Sequence, residues 1–189
     1  MASMDKDKAA RFRRVTGTSG LDRVLRKALK VLSEWGIPHL VGGGYAVQAH
    51  KYRRTTDDVD IIVPDISRAV DVLSRFDFKE ISPTRVADRR PPNLEIDLLQ
   101  GGQRMGSSPV PFPQPTQVSP QPQIAALPDL VSLKLGASRT QDIADVVHMI
   151  TANSLPRNYA VDPAVKAKYE QAWDTAAAET ASQGLLGEE

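Results

Sequence analysis

The chain has 189 residues, 41% of them hydrophobic and 25% charged, which is the profile of a globular domain able to bury its own core. It contains no cysteine, and its three histidines (His39, His50, His148) are not at metal-ligand spacing. Disulfide scaffolds, thiolate nucleophiles, cysteine-ligated iron–sulfur clusters and cysteine-ligated zinc sites are therefore excluded, and the histidine spacing argues against a histidine-rich zinc site.

The net charge of +1 hides an uneven distribution. Residues 1–30 carry nine lysines and arginines against three aspartates, a net +6, whereas residues 161–189 carry two lysines against six acids, a net −4. Residues 1–17 read as a basic arm, either steering nucleic acid or an anionic substrate or simply solvated. No apolar run approaches the ~20 residues of a membrane span, and no apolar segment follows the basic N-terminus. The expectation is a cytoplasmic protein without a membrane partner.

From Leu21 to Trp35 apolar residues recur at helical spacing, with Thr18 or Ser19 as the cap and Gly36 and Pro38 as the stop. His39–Val41 reads as a short buried strand running into Gly42-Gly43-Gly44, and Tyr45–His50 as a helix start. Val59–Val63 is a second strand ended by Pro64. Ser67 is a candidate cap for a helix carrying Ala69, Val70, Val72, Leu73 and Phe76. Phe78–Ile81 and Leu94–Leu99 are further strands.

Residues 107–123 hold six prolines and no charge, so they cannot form a helix and favour an extended path. They read as a connection, a flap over a site, or a ligand for a proline-reading domain. Pro128 suits the first turn of a helix through Leu135. Thr140 can cap another, and Asp162-Pro163 can open a last one with Val165, Tyr169, Ala172, Trp173 and Ala176 on one stripe. The expected organisation is an α/β core over 18–106, the proline-rich segment 107–123, and a helical part over 124–181 packed on the core. A frayed tail follows over 182–189. The fold class is α/β (α+β), a small mixed sheet flanked by helices with a C-terminal helical part.

The chemistry concentrates in Gly42-Gly43-Gly44 and in Arg54-Thr55-Thr56-Asp57-Asp58-Val59-Asp60. Alternate side chains of a strand share a face, so Asp58 and Asp60 point the same way. Such a pair either faces water on an edge strand or shares a cation, and oxygen-only ligands favour Mg²⁺ or Mn²⁺. Gly43 and Gly44 lie between a strand and a helix, where backbone N–H groups can hold phosphate, or where the chain merely turns. Asp97 lies among aliphatics in the later strand and completes a three-carboxylate cluster if that strand pairs beside Val59–Val63. Glu95 shares its face. Thr55 and Thr56 can bond phosphate or cap the strand's entry. His50 precedes the acids in sequence without other support as a general base. Arg85, Arg89 and Arg90 read as loop residues or as a phosphate-gathering group.

This pattern resembles the nucleotidyltransferase superfamily (the polymerase β-like fold), and its Arg54, Thr56, Asp58, Asp60 string resembles small bacterial AbiEii-type members. Lys134-Leu135, Arg139, Asp142 and Asp145 resemble a helical signature of the same proteins. The likeness covers residues 37–63, 94–100 and 127–150. The superfamily often has serine where Gly44 stands, and Gly44 has no hydroxyl. The resemblance implies transfer of an NMP group from an NTP to a hydroxyl acceptor: an RNA end, a protein or a small molecule. It implies two Mg²⁺ (or Mn²⁺) ions on Asp58, Asp60 and Asp97, with Asp97 also drawing the acceptor's proton. Nucleotide would be held by Gly43, Gly44, Thr56 and Lys134. It also implies a toxin role with an antitoxin protein as partner. Lys134 can alternatively clamp two helices through Asp142. The competing readings are a non-catalytic chain of the same fold that binds nucleotide or a partner, and a basic-armed nucleic-acid binder of unrelated fold.

Overall fold

The computed structural model describes residues 19–52, 56 and 59–185. The expectations for the basic arm, for Thr18, Arg54, Thr55 and Asp58, and for residues 186–189 lie outside the described residues. In chain order the elements are α1 (Ser19–Glu34), β1 (Leu40–Val41), α2 (Gly43–Ala49), β2 (Val59–Val63), α3 (Ile66–Ser74), β3 (Phe78–Ser82), β4 (Arg85–Asp88), β5 (Glu95–Gln100), α4 (Leu127–Ala137), α5 (Thr140–Asn153) and α6 (Lys166–Leu185). A short 3₁₀ turn, Pro163–Val165, precedes α6. The fold is mixed α/β, as expected. No described helix is long and apolar enough to cross a membrane.

Two compact units divide the chain: Met1–Tyr45, Thr55–Gly101 and Gln114–Ile124 form the first, and Ala46–Arg54, Gly102–Pro113 and Ala125–Glu189 the second. The first holds a five-stranded sheet in the order β1-β2-β5-β4-β3. Only the central pair, β2 and β5, is parallel; the other neighbours run antiparallel. Val59, Ile61 and Val63 alternate with Asp60 and Ile62, and together with Ile96, Leu98 and Val86 they form one core with the apolar stripes of α1 and α3. Trp35, expected on the α1 stripe, follows the helix end at Glu34, is 40% exposed, and meets Phe76 edge-on at 6.1 Å.

Strand β4 is absent from the pattern of the sequence because one of its core-facing positions is a charge. Asp88 is fully buried and is bound by Arg23 at 2.7 Å and Lys27 at 2.9 Å, both from α1. Burial alone would raise the Asp88 carboxyl. Hydrogen bonds from Lys27, the Arg90 backbone and Arg23 outweigh that and hold it below the ordinary aspartate value. Helix α3 is capped by Asp65, whose carboxylate accepts from the Arg68 N–H, two residues earlier than the expected Ser67.

The proline-rich stretch is divided between the units. In the first, residues 114–124 run along the free edge of β1: the N–H groups of His39 and Val41 donate to the carbonyls of Gln117 (3.2 Å) and Gln123 (2.7 Å). The His39 ring, fully buried, stands 2.8 Å from the Ser119 carbonyl. Proline offers a carbonyl and no N–H, so this strap satisfies the edge donors while presenting few of its own.

In the second unit α5 packs on α4 and on α6. Leu130, Val131 and Leu135 are buried on α4, Val146, Met149 and Ile150 on α5, and Tyr169, Ala172 and Ala176 on α6. Left-handed Ser138 (φ 55°) ends α4. Arg139, not Thr140, occupies the cap position of α5, and no side chain caps it. Helix α6 continues to Leu185, past the Ser182 at which fraying was expected. At Gly136 a Cβ would overlap Ser108 Oγ and press on Val110, so α4 approaches the 108–110 backbone as only glycine allows.

Candidate active site

Parallel pairing of β2 and β5 sets Asp60 opposite Asp97 as Cα partners, about 4.8 Å apart across the ladder. Val59 and Ile61 on one strand and Ile96 and Leu98 on the other are buried in the core. Asp60 and Asp97 therefore share the opposite face, where both are half-buried. Glu95, two residues before Asp97, lies on that face too.

The glycine turn meets the same place. The Gly42 N–H donates to the Asp60 carbonyl at 2.9 Å and ties the end of β1 to β2. Gly43 has φ +55°, and a Cβ there would overlap the Asp60 carboxylate. Glycine is favoured twice over, by the left-handed backbone and by the space its missing Cβ leaves to the carboxylate. Gly44 is buried. The Tyr45 hydroxyl donates to Asp22 of α1 and anchors the turn; burial first, and then that hydrogen bond, push its hydroxyl up to about 12. Thr56 is 6% exposed.

Arg85 supplies a feature that sequence reading placed in a loop. It lies in β4 as the Cα partner of Asp97. Its Nε and Nη2 donate to Asp97 Oδ1 and Oδ2, the second at 2.9 Å, and its Nη1 donates to Glu95 Oε2 at 3.0 Å. Asp60, Asp97 and Arg85 thus form a row across three strands on one face. Arg89 and Arg90 do not join it: Arg89 donates to the Phe78 carbonyl and Arg90 to Asp77.

Two adjacent carboxylates offer the all-oxygen donor set that suits a hard divalent cation. Asp58, the third expected ligand, lies outside the described residues. Among those that are described, no three acids or histidines stand at metal-holding distance.

Lys134 belongs to the second unit, where it is 6% exposed. Its ammonium lies 2.9 Å from Asp142 and 2.7 Å from Asp145. Arg139 donates to Asp142 at 2.6 Å and Gln141 to Asp145 at 3.1 Å. Burial alone would raise the Asp142 carboxyl, but the hydrogen bonds from Arg139 and Lys134 prevail and hold it low. Of the two roles open to Lys134, this geometry is the helix clamp. His50 serves structure as well: its ring stands 2.9 Å from the Ala125 carbonyl, and its own carbonyl accepts from Asn153.

No protein-family model and no curated protein matches the chain. Among solved structures it is similar to the antibiotic-resistance factor ANT(2'')-Ia in solution, with 13% identity over 89% of this chain and 98% of that one and a TM-score of 0.47. It is also similar to a CCA-adding enzyme in an apo form, with 21% identity over 48% of this chain and 22% of that one and a TM-score of 0.35.

Proposed function

We propose that the protein is a Mg²⁺- or Mn²⁺-dependent nucleotidyltransferase that moves an NMP group from an NTP to a hydroxyl acceptor. The observation that carries this reading is the Asp60–Asp97 register with Gly43 packed against the Asp60 carboxylate. Asp58, Asp60 and Asp97 would hold the metal. When bound, the divalent ions would balance the charge of the triphosphate and of the departing pyrophosphate.

The chain's own residues then have distinct tasks. Gly43, Gly44 and Thr56 keep the nucleotide-holding role that the resemblance implies, with Gly43 leaving the Asp60 carboxylate its place against the turn. Asp97 accepts the proton of the acceptor hydroxyl. The acceptor oxygen bonds to the α-phosphorus while the bond from that phosphorus to the β-phosphate oxygen breaks, releasing pyrophosphate. Lys134, engaged by two buried carboxylates, is assigned to holding α4 against α5 and not to phosphate.

The acceptor is an RNA end, a protein hydroxyl or a small molecule. A toxin role with an antitoxin partner, in the bacterial cytoplasm, rests on resemblance alone, that of Arg54-x-Thr56-x-Asp58-x-Asp60 and of the Lys134, Arg139, Asp142 and Asp145 signature. A second reading has one observation in its favour: Arg85 holds both oxygens of Asp97, as suits a non-catalytic chain that only binds nucleotide or a partner.

The test uses NTPs labelled at the α-phosphate, with Mg²⁺ and each acceptor class. Labelled transfer with pyrophosphate release, abolished by Asp60→Asn, is the expected result. Calorimetric NTP binding without turnover on any acceptor would favour the second reading. Absence of both NTP binding and turnover would overturn the proposal.

A further inference from the structure

We infer that Arg85 is the resident counter-cation of the carboxylate site and gates metal entry; the inference rests on the metal-dependent reading above. Both oxygens of Asp97 are taken by the guanidinium, and its third arm holds Glu95. A divalent ion and a guanidinium on one carboxylate repel each other and compete for its charge and lone pairs, so metal binding at Asp97 favours departure of Arg85. The geometry allows departure. The Arg85 side chain is 41% exposed, against 21% for Asp97, and its backbone stays fixed by the β4–β5 ladder while the side chain swings.

The occupancy comes from local register: Arg85 is the direct cross-strand partner of Asp97, and Glu95 lies two residues away on the same face. The planar fork matches one carboxylate with two nitrogens and leaves a third for its neighbour, which lysine cannot reproduce. Like charges on adjacent positions of one sheet face repel, and the arginine holds them together in the resting protein. Binding of metal and release of Arg85 are then linked, and removing the arginine raises metal affinity by whatever the resting pair contributed.

The experiment measures Mn²⁺ binding by electron paramagnetic resonance on the full chain, with and without excess NTP. It compares wild type, Arg85→Gln and Arg85→Lys, after circular dichroism has checked that each is folded. Arg85→Gln removes charge and fork; Arg85→Lys keeps the charge and loses the fork, and is the more conservative variant if the glutamine fails to fold. The expected result is about tenfold tighter Mn²⁺ binding in Arg85→Gln, and a gain of several-fold in Arg85→Lys. A gain confined to Arg85→Gln means long-range repulsion and not occupancy, and overturns the gate. Equal affinity in all three proteins overturns the gate while leaving the metal site standing. No Mn²⁺ binding in any of them, even with NTP, removes the gate and the metal-dependent reading together.

Discussion

Lys134 and Asp145 form an ion pair at 2.7 Å in which neither side chain is more than 7% exposed. With Asp142 at 2.9 Å and Arg139 bound to it, two cations balance two carboxylates between α4 and α5. Removing one member of a buried pair strands the other's charge at a cost of about 3–5 kcal/mol. Lys134→Ala and Asp145→Ala are therefore expected to lower unfolding free energy by roughly that amount in chemical denaturation. Lys134→Met combined with Asp142→Leu and Asp145→Leu should cost less than Lys134→Ala, because no acid of the pair is left unpartnered. If Lys134→Ala weakens NTP binding in the folded fraction while stability holds, Lys134 belongs with the phosphate site after all.

The Gly43 turn gives a second test. Alanine there meets a left-handed backbone and the Asp60 carboxylate at once. The backbone component alone costs ~1–2 kcal/mol. Gly43→Ala should lower the melting temperature and weaken NTP binding more than Gly36→Ala, whose φ of +65° is similar but whose Cβ would meet nothing within 4 Å. Equal effects of the two substitutions would mean that only backbone strain matters at Gly43.

Residues legible in the sequence share a property: their partners are close in the chain or their pattern repeats. Strands β2 and β5 were readable from alternation around Asp60 and Asp97, and their shared face followed once the strands were paired. Helices α1, α4 and α5 were readable from apolar spacing. Arg85 was not, because its role depends on a β4–β5 register that no local pattern announces. Strand β4 itself was hidden by Asp88, a charge at a core position made tolerable by Arg23 and Lys27 more than sixty residues earlier. The proline-rich stretch showed its extended path but not its place, since an edge-covering strap and a free connection have the same composition.

Acid should unfold the protein through these buried carboxylates. Asp88 and Asp142 both have folded-state values below the ordinary aspartate value of roughly 3.9. A depressed folded value means stability fully present above the unfolded value and lost as pH falls through the folded one. Stability is thus expected to hold down to about pH 4 and then to fall steadily. Asp88→Asn should flatten the decline below pH 4 while lowering stability at pH 7. An unchanged slope in Asp88→Asn and in Asp142→Asn would exclude both as the titrating groups.

The alkaline limb has the opposite sign. Burial, followed by the hydrogen bond to Asp22, pushes the Tyr45 hydroxyl up to about 12; burial, followed by the field of Tyr159, does the same for Tyr169. A raised folded value stabilises the fold fully below the unfolded value near 10 and loses that contribution as pH rises through the folded one. Stability should therefore drop between about pH 10 and pH 12, as the unfolded chain ionises both phenols first. Tyr45 reports on the glycine turn and Tyr169 on α6, whose hydroxyl donates to the Pro156 carbonyl at 2.8 Å. Tyr45→Phe and Tyr169→Phe should each remove part of the alkaline slope, and the double variant more than either. Melting curves from pH 8 to pH 12 decide it: a slope that survives in the double variant assigns the alkaline loss to other groups.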